Sequence, residues 1–139
     1  MSLFKKDLRN KIKKQYNWKI ERQCLNLIFE AAKSTYPNEF GGLLRVDTDN
    51  KDIISELIIL PGTIQGDSHT IFNLHMMPID FYIVGTVHSH PSISFYPSNA
   101  DLLLFQKKGK IHIISAYPYN FKSYRSYNRF GKMVNLEIV

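Results

Sequence analysis

From Lys19 to Ser34 the apolar residues Ile20, Cys24, Leu27, Ile28, Ala31 and Ala32 recur at the spacing that puts side chains on one face of a helix. This pattern predicts an amphipathic helix packed on a core, with Cys24 on its buried stripe. Pro37 ends it, because proline lacks an N–H and biases the residue before it away from helical backbone. The period then changes. Gly41–Val46 and Ile53–Leu60 flank the turn-forming Asp47-Thr48-Asp49-Asn50 and predict a hairpin, closed by Pro61-Gly62. Ser68–Leu74 is a third candidate strand. His75-Met76-Met77-Pro78 leads through a short helical piece to an apolar, β-branched and aromatic strand over 81–88.

The second half of the chain is read in the same way. Ser98 is a good helix N-cap, Leu102, Leu103 and Phe105 supply apolar contacts, and Gly109 is a good stop, so a helix is predicted over 98–108. Ile111–Ala116 reads as a buried strand, and Phe121–Val139 as two strands joined at 128–131. The order helix, hairpin, strand, strand, helix, strand, hairpin predicts an α/β or α+β domain with a mixed, largely antiparallel sheet flanked by helices. Residues 1–18 are charged, lack periodicity before Trp18, and read as a loosely docked lead-in.

Composition narrows the classes. A chain of 139 residues, 44% hydrophobic and 22% charged, fits one soluble globular domain over 1–139. No apolar run approaches the roughly 20 residues needed to cross a bilayer, and Met1 to Lys14 has no apolar signal core. With Cys24 the single cysteine, an internal disulfide and a cysteine-rich zinc site are both excluded, and a cytoplasmic location is expected. The net charge of +6 is unevenly spread: residues 1–22 carry eight Lys/Arg against two acids, 23–101 three against nine, and 102–139 seven against one. Basic ends flank an acidic middle, a pattern able to steer acidic partners.

That acidic middle holds the candidate chemistry. Residues i and i+2 of a strand face the same way, so His88 and His90 can reach one ion. If Ser98 caps the following helix, Asp101 falls at its third position, where the helix dipole favours an ionised carboxylate. Two imidazoles and a carboxylate with one open position form an accepted zinc-hydrolase set. Ser98-x-x-Asp101 is equally a capping pair. A proton acceptor is also required; Glu21, Glu30, Glu39, Glu56 and Glu137 are available, and Glu39 is best placed, entering a core strand before two glycines. His69, His75 and His112 have no partner at ligand spacing. Phe95 and Tyr96 lie in the loop expected over the metal.

Glu39 before Gly-Gly-Leu-Leu, with His88-Ser89-His90, seven residues, Ser98, two residues and Asp101, resembles the JAMM (MPN-plus) metalloproteases. The motif H-[ST]-H-x7-S-x2-D with an upstream Glu is complete, and the similarity in element order spans most of 19–139. The resemblance implies a JAMM/MPN, cytidine-deaminase-like fold holding one zinc per chain on His88, His90 and Asp101. It implies that Glu39 deprotonates the water and that Ser98 helps stabilise the oxyanion. It implies as substrate a ubiquitin-like protein joined to lysine, or the C-terminal tail of a ubiquitin-fold sulfur carrier, lying extended beside an edge such as Ser68–Leu74. The compact length is similar to archaeal or bacterial members. Competing readings are a silent scaffold, which typically loses ligands where none is lost here, and a nucleic-acid role suggested by Tyr119, Phe121, Tyr124 and Tyr127 among Lys122, Arg125 and Arg129. Such alternation in a strand more often marks core, so neither nucleic acid nor membrane is the expected partner.

Overall fold

A computed structural model describes residues 18–60 and 80–139. Its elements are β1 (Trp18–Ile20), α1 (Arg22–Thr35), β2 (Gly41–Val46), β3 (Ile53–Ile59), β4 (Ile83–His90), α2 (Asn99–Lys107), β5 (Ile111–Ala116), β6 (Tyr124–Asn128), β7 (Met133–Val134) and β8 (Leu136–Ile138). The expected Ser68–Leu74 strand, residues 75–79, the Pro61-Gly62 closure, His69, His75 and residues 1–17 of the basic lead-in lie outside the described residues.

The strands form a mixed sheet ordered β7-β6-β5-β4-β2-β3-β1-β8. The β7–β6, β6–β5, β4–β2 and β2–β3 pairs are antiparallel; β5–β4, β3–β1 and β1–β8 are parallel. The fold is therefore α+β with an antiparallel majority. Only Asn135 separates β7 from β8, yet the two occupy opposite ends of the order. Two backbone steps of about 3.8 Å cannot cross a flat sheet whose strands lie about 4.8 Å apart. The sheet must therefore curl until its edges meet.

Helix α1 packs against one face of this curl. Cys24, Leu25, Ile28, Phe29 and Ala32 are buried there with Leu44, Val87, Ile111 and Ile113, and Val134 and Leu136 pack against them. Each fully buried Leu, Ile or Phe contributes roughly 1.5–3 kcal/mol of transfer free energy. Cys24 belongs to this core, where burial pushes its thiol up to about 12. The expected stripe was rotated: Leu27 is 52% exposed, because it lies roughly 130° round the helix from the middle of the buried face. The helix also starts later than expected, since residues 18–20 join β3 and β8 as a parallel strand.

Helix α2 packs on the opposite face. Leu104 meets Leu43 and Leu60, while Phe105 meets Ile114 and Tyr127. Leu103, expected to contribute, is largely exposed instead. Phe81 is not part of its expected strand: Asp80 accepts hydrogen bonds from Tyr82 N–H through its side chain and from Ile83 N–H through its carbonyl, and this turn delays β4. The predicted hairpin at 128–131 forms between β6 and β7, but β8 crosses to the far edge.

Two glycines let β4 and β5 approach. A Cβ on Gly85 would lie 1.5 Å from the Ile111 carbonyl oxygen, and Gly109 has φ +129 with its Cβ direction filled by Val84 O. His112 on β5 then pins the end of α2. Its Nδ1 accepts from Thr86 N–H at 3.3 Å and from the Thr86 hydroxyl at 2.8 Å, which places the ring proton on Nε2, shared by Phe105 O and Gly109 O at 3.1 Å. The ring also stacks on Phe105 at 4.4 Å. Burial pushes its pKa down from 6.5 to about 4, against the pull of the two carbonyls.

Because the folded ring resists protonation that the unfolded chain accepts, its stabilisation is complete above about pH 6.5 and is lost as pH falls towards 4. The loss should reach about 3 kcal/mol. Urea titrations at pH 7 and pH 4.5 should show the native chain losing more stability than His112→Gln. Equal losses would assign the pH dependence to other groups.

Candidate metal centre

The β4–β5 parallel pairing sets His88 opposite Ile114 and His90 opposite Ala116, while β2 sets Gly41 opposite His88. Strand pleating turns both imidazoles to the α2 face. His88 is buried at 4% exposure and directs Nε2 at the site; its Nδ1 has no partner among the described residues. His90 Nδ1 donates to Ser94 O at 2.9 Å, which leaves Nε2 unprotonated and free to act as a metal donor. The Ser94 carbonyl thus sets both the orientation of the ring and its tautomer.

Loop 91–97 returns the chain so that α2 begins over these rings. Ser98 is its N-cap, and the capping box is complete: Ser98 Oγ accepts from Asp101 N–H at 3.1 Å, and Asp101 Oδ2 accepts from Ser98 N–H at 2.9 Å. The same carboxylate faces the histidines, with Oδ1 3.1 Å from His88 Nε2 and Oδ2 3.3 Å from His90 Nε2. Capping and a metal-donor position, which read as alternatives in the sequence, are compatible on one side chain.

These donors fit a tetrahedral ion. His88 Nε2 and His90 Nε2 are 3.2 Å apart, and the donor separations match the edge of about 3.3 Å expected for ligands about 2.0–2.1 Å from zinc. Among the described residues, His88, His90 and Asp101 form the one group of three such donors within 4.8 Å. Burial pushes the Asp101 carboxyl up, but the neighbouring His88 and His90 rings and the Ser98 N–H outweigh it and hold the pKa well below the usual carboxylate range. The group therefore stays ionised, as metal binding requires. Burial also lowers His90, yet its bonds to Asp101 and Ser94 and the charges of Asp101 and Glu39 raise it overall.

Glu39 precedes β2 and stands outside the donor group. Extending the Gly41–His88 pairing by two residues carries it opposite His90, on the same face. Of the two glycines after Phe40, Gly42 has a different use from the one expected: a Cβ on it would meet Ile58 O of β3 at 2.7 Å, not the site. His112 lies in the core as described. Phe95 is held by Arg125 at 4.1 Å over its ring and by Tyr127 O–H on its carbonyl at 2.6 Å, while Tyr96 is exposed. Tyr119 and Tyr127 are buried, and Tyr124 packs on Phe29, so these aromatics face inward.

Two residues have roles the sequence did not suggest: Ser89, which stood there only as the middle of the histidine motif, and Tyr119, which stood only among the basic-flanked aromatics. Ser89 Oγ accepts from Phe40 N–H at 2.8 Å, and Tyr119 O–H donates to His90 O at 3.2 Å. Strand alternation could have flagged Ser89, since it must point into the core between two outward histidines and find a partner there. Tyr119 reaches the site only through the fold; its φ of 64 is a left-handed conformation rare for an aromatic residue.

A mixed sheet that brings two histidines and a helix-cap aspartate to one point defines a metallohydrolase type of domain. Residues 21–128 match the family model described as prokaryotic homologs of the JAB domain. The chain is 33% identical over 128 residues to a probable metalloprotease of Haloferax volcanii, a match covering 86% of this chain and 78% of that protein. A solved JAMM structure, described as a metalloprotease-like zinc site in the proteasome and signalosome, is 44% identical with TM-score 0.68, covering 88% of this chain and 97% of that one. A JAB1/MPN domain protein from Archaeoglobus fulgidus is 43% identical with TM-score 0.68 and coverages of 88% and 96%. A protein from Desulfitobacterium hafniense, 16% identical with TM-score 0.56 and coverages of 87% and 92%, shares the fold alone. The chain belongs to the prokaryotic JAB branch of the JAMM/MPN family.

Asp101→Ala should remove the carboxylate ligand together with the Asp101 half of the capping box, lowering zinc affinity by at least about 100-fold and helix stability by up to about 1 kcal/mol. Chelator competition on both proteins reads the first effect. Full zinc occupancy in the variant would break the ligand assignment.

Proposed function

We propose that this chain is a zinc-dependent isopeptidase that releases ubiquitin-like modifiers from lysine, working as a single domain in the cytoplasm with one zinc per chain. The observation that carries the reading is the convergence of His88, His90 and Asp101 at tetrahedral-edge distances, beside Glu39 on the same face. The relative named a probable metalloprotease supports the reaction class. The substrate class rests on the motif resemblance. No described helix is long and apolar enough to cross a membrane.

Zinc held by this triad would lower the pKa of a bound water to about 7 and polarise the scissile carbonyl. Glu39 accepts the proton of the attacking water and returns it to the departing lysine amine. Its position outside the donor group suits a base better than a fourth ligand. The Ser98 oxygen is already engaged by Asp101 N–H, which orients its O–H to donate to the oxyanion of the tetrahedral intermediate. Ser94, through His90, keeps the second imidazole in its ligating tautomer.

Purified zinc-loaded protein should cleave a lysine-linked ubiquitin-like conjugate, and chelator treatment should abolish cleavage. Glu39→Gln should keep its zinc and lose roughly 10²-fold or more in rate. Near-normal turnover by that variant would remove Glu39 from the role. No cleavage despite stoichiometric metal would move the assignment to the tail of a ubiquitin-fold sulfur carrier.

A further inference from the structure

We propose that Ser89 is a positioning residue for Glu39, acting through the Glu39–Phe40 peptide; the inference rests on the reading of Glu39 as the base. Continuing the antiparallel β2–β4 ladder one step past Gly41 and His88 brings Phe40 opposite Ser89. A hydrogen-bonded antiparallel pair exchanges two N–H to carbonyl bonds. Here one is formed, Ser89 N–H to Phe40 O at 2.9 Å. The other is replaced: Phe40 N–H donates to the Ser89 hydroxyl oxygen at 2.8 Å.

The substitution bears directly on Glu39. The Phe40 N–H and the Glu39 carbonyl belong to one planar peptide unit, so a bond to that N–H fixes the plane that carries the Glu39 Cα. One residue further back, the Asn38 N–H of the Pro37–Asn38 peptide is held by Thr35 O at 2.8 Å. Glu39 therefore projects beside one anchored peptide and one residue from a second. Ser89 is fully buried on the face opposite the imidazoles, so its hydroxyl touches neither ligand nor substrate. One residue between the two histidines thus couples the ligand strand to the base.

The test uses the full zinc-loaded chain with Ser89→Ala, Ser89→Thr, Glu39→Gln and the Ser89→Ala/Glu39→Gln double variant. Steady-state cleavage of a lysine-linked ubiquitin-like conjugate gives kcat and KM, chelator competition gives zinc affinity, and NMR gives hydrogen exchange at the Phe40 amide. Ser89→Ala should speed Phe40 exchange and lower kcat by about 10- to 100-fold, with KM and zinc affinity unchanged. Threonine should restore both, and the double variant should be no slower than Glu39→Gln alone. Losses that multiply in the double variant, a fall in zinc affinity that accounts for the rate, or unchanged Phe40 exchange would each overturn the proposal. If Ser89→Ala does not fold, Ser89→Cys, with a weaker acceptor, carries the same comparison. Full turnover by Glu39→Gln alone is a failure of the base assignment, visible without any change at Ser89.

Discussion

The Asp101 carboxylate meets both imidazoles, at 3.1 Å from His88 Nε2 and 3.3 Å from His90 Nε2, while it also accepts the Ser98 N–H that begins α2. Two requirements converge on it. The helix start needs an acceptor for a backbone donor left unpaired, and a metal held beside the two imidazoles would need an ionised oxygen. A carboxylate with two oxygens meets both, and the dipole at the helix start favours the same charge state. The cap therefore aims the ligand.

That convergence depends on where the sheet puts β4. It lies between β2 and β5, so both of its edges are paired and its end is rigid. The parallel β4–β5 contact requires a long crossover, which α2 supplies, and a crossover necessarily returns past the C-terminal end of the first strand. The histidines are at that end. Gly85 and Gly109 allow the close approach that brings the start of β5 against β4. Thus the connection that closes the sheet also delivers Ser98 and Asp101 to the metal donors.

Much of this was legible because it is local. The i, i+2 histidines, the Ser98-x-x-Asp101 spacing and the stop at Gly109 each depend on a few neighbouring residues. What the sequence concealed was nonlocal. Strands of two or three residues such as β1, β7 and β8 are too short to show alternation, and they form because the curled sheet offers them edges. Leu25 and Leu27 are chemically the same residue two positions apart, so the periodicity alone placed Leu27 inward, where packing against β3 and β4 buries Leu25 instead. Tyr119 meets His90 across 29 residues of chain and carries no motif.

The ligand set is consequently asymmetric. His88 and His90 ride on a strand paired on both sides, whereas Asp101 rides on a helix that crosses one face. That helix is tied at its far end by His112, which gives its Nε2 proton to Phe105 O and Gly109 O. At its near end it is tied by Asp101 itself. A shift of α2 along the sheet would carry Asp101 away from two fixed imidazoles and alter both of its donor separations at once. A histidine outside the donor group therefore helps set the donor separations, through the axial position of one helix.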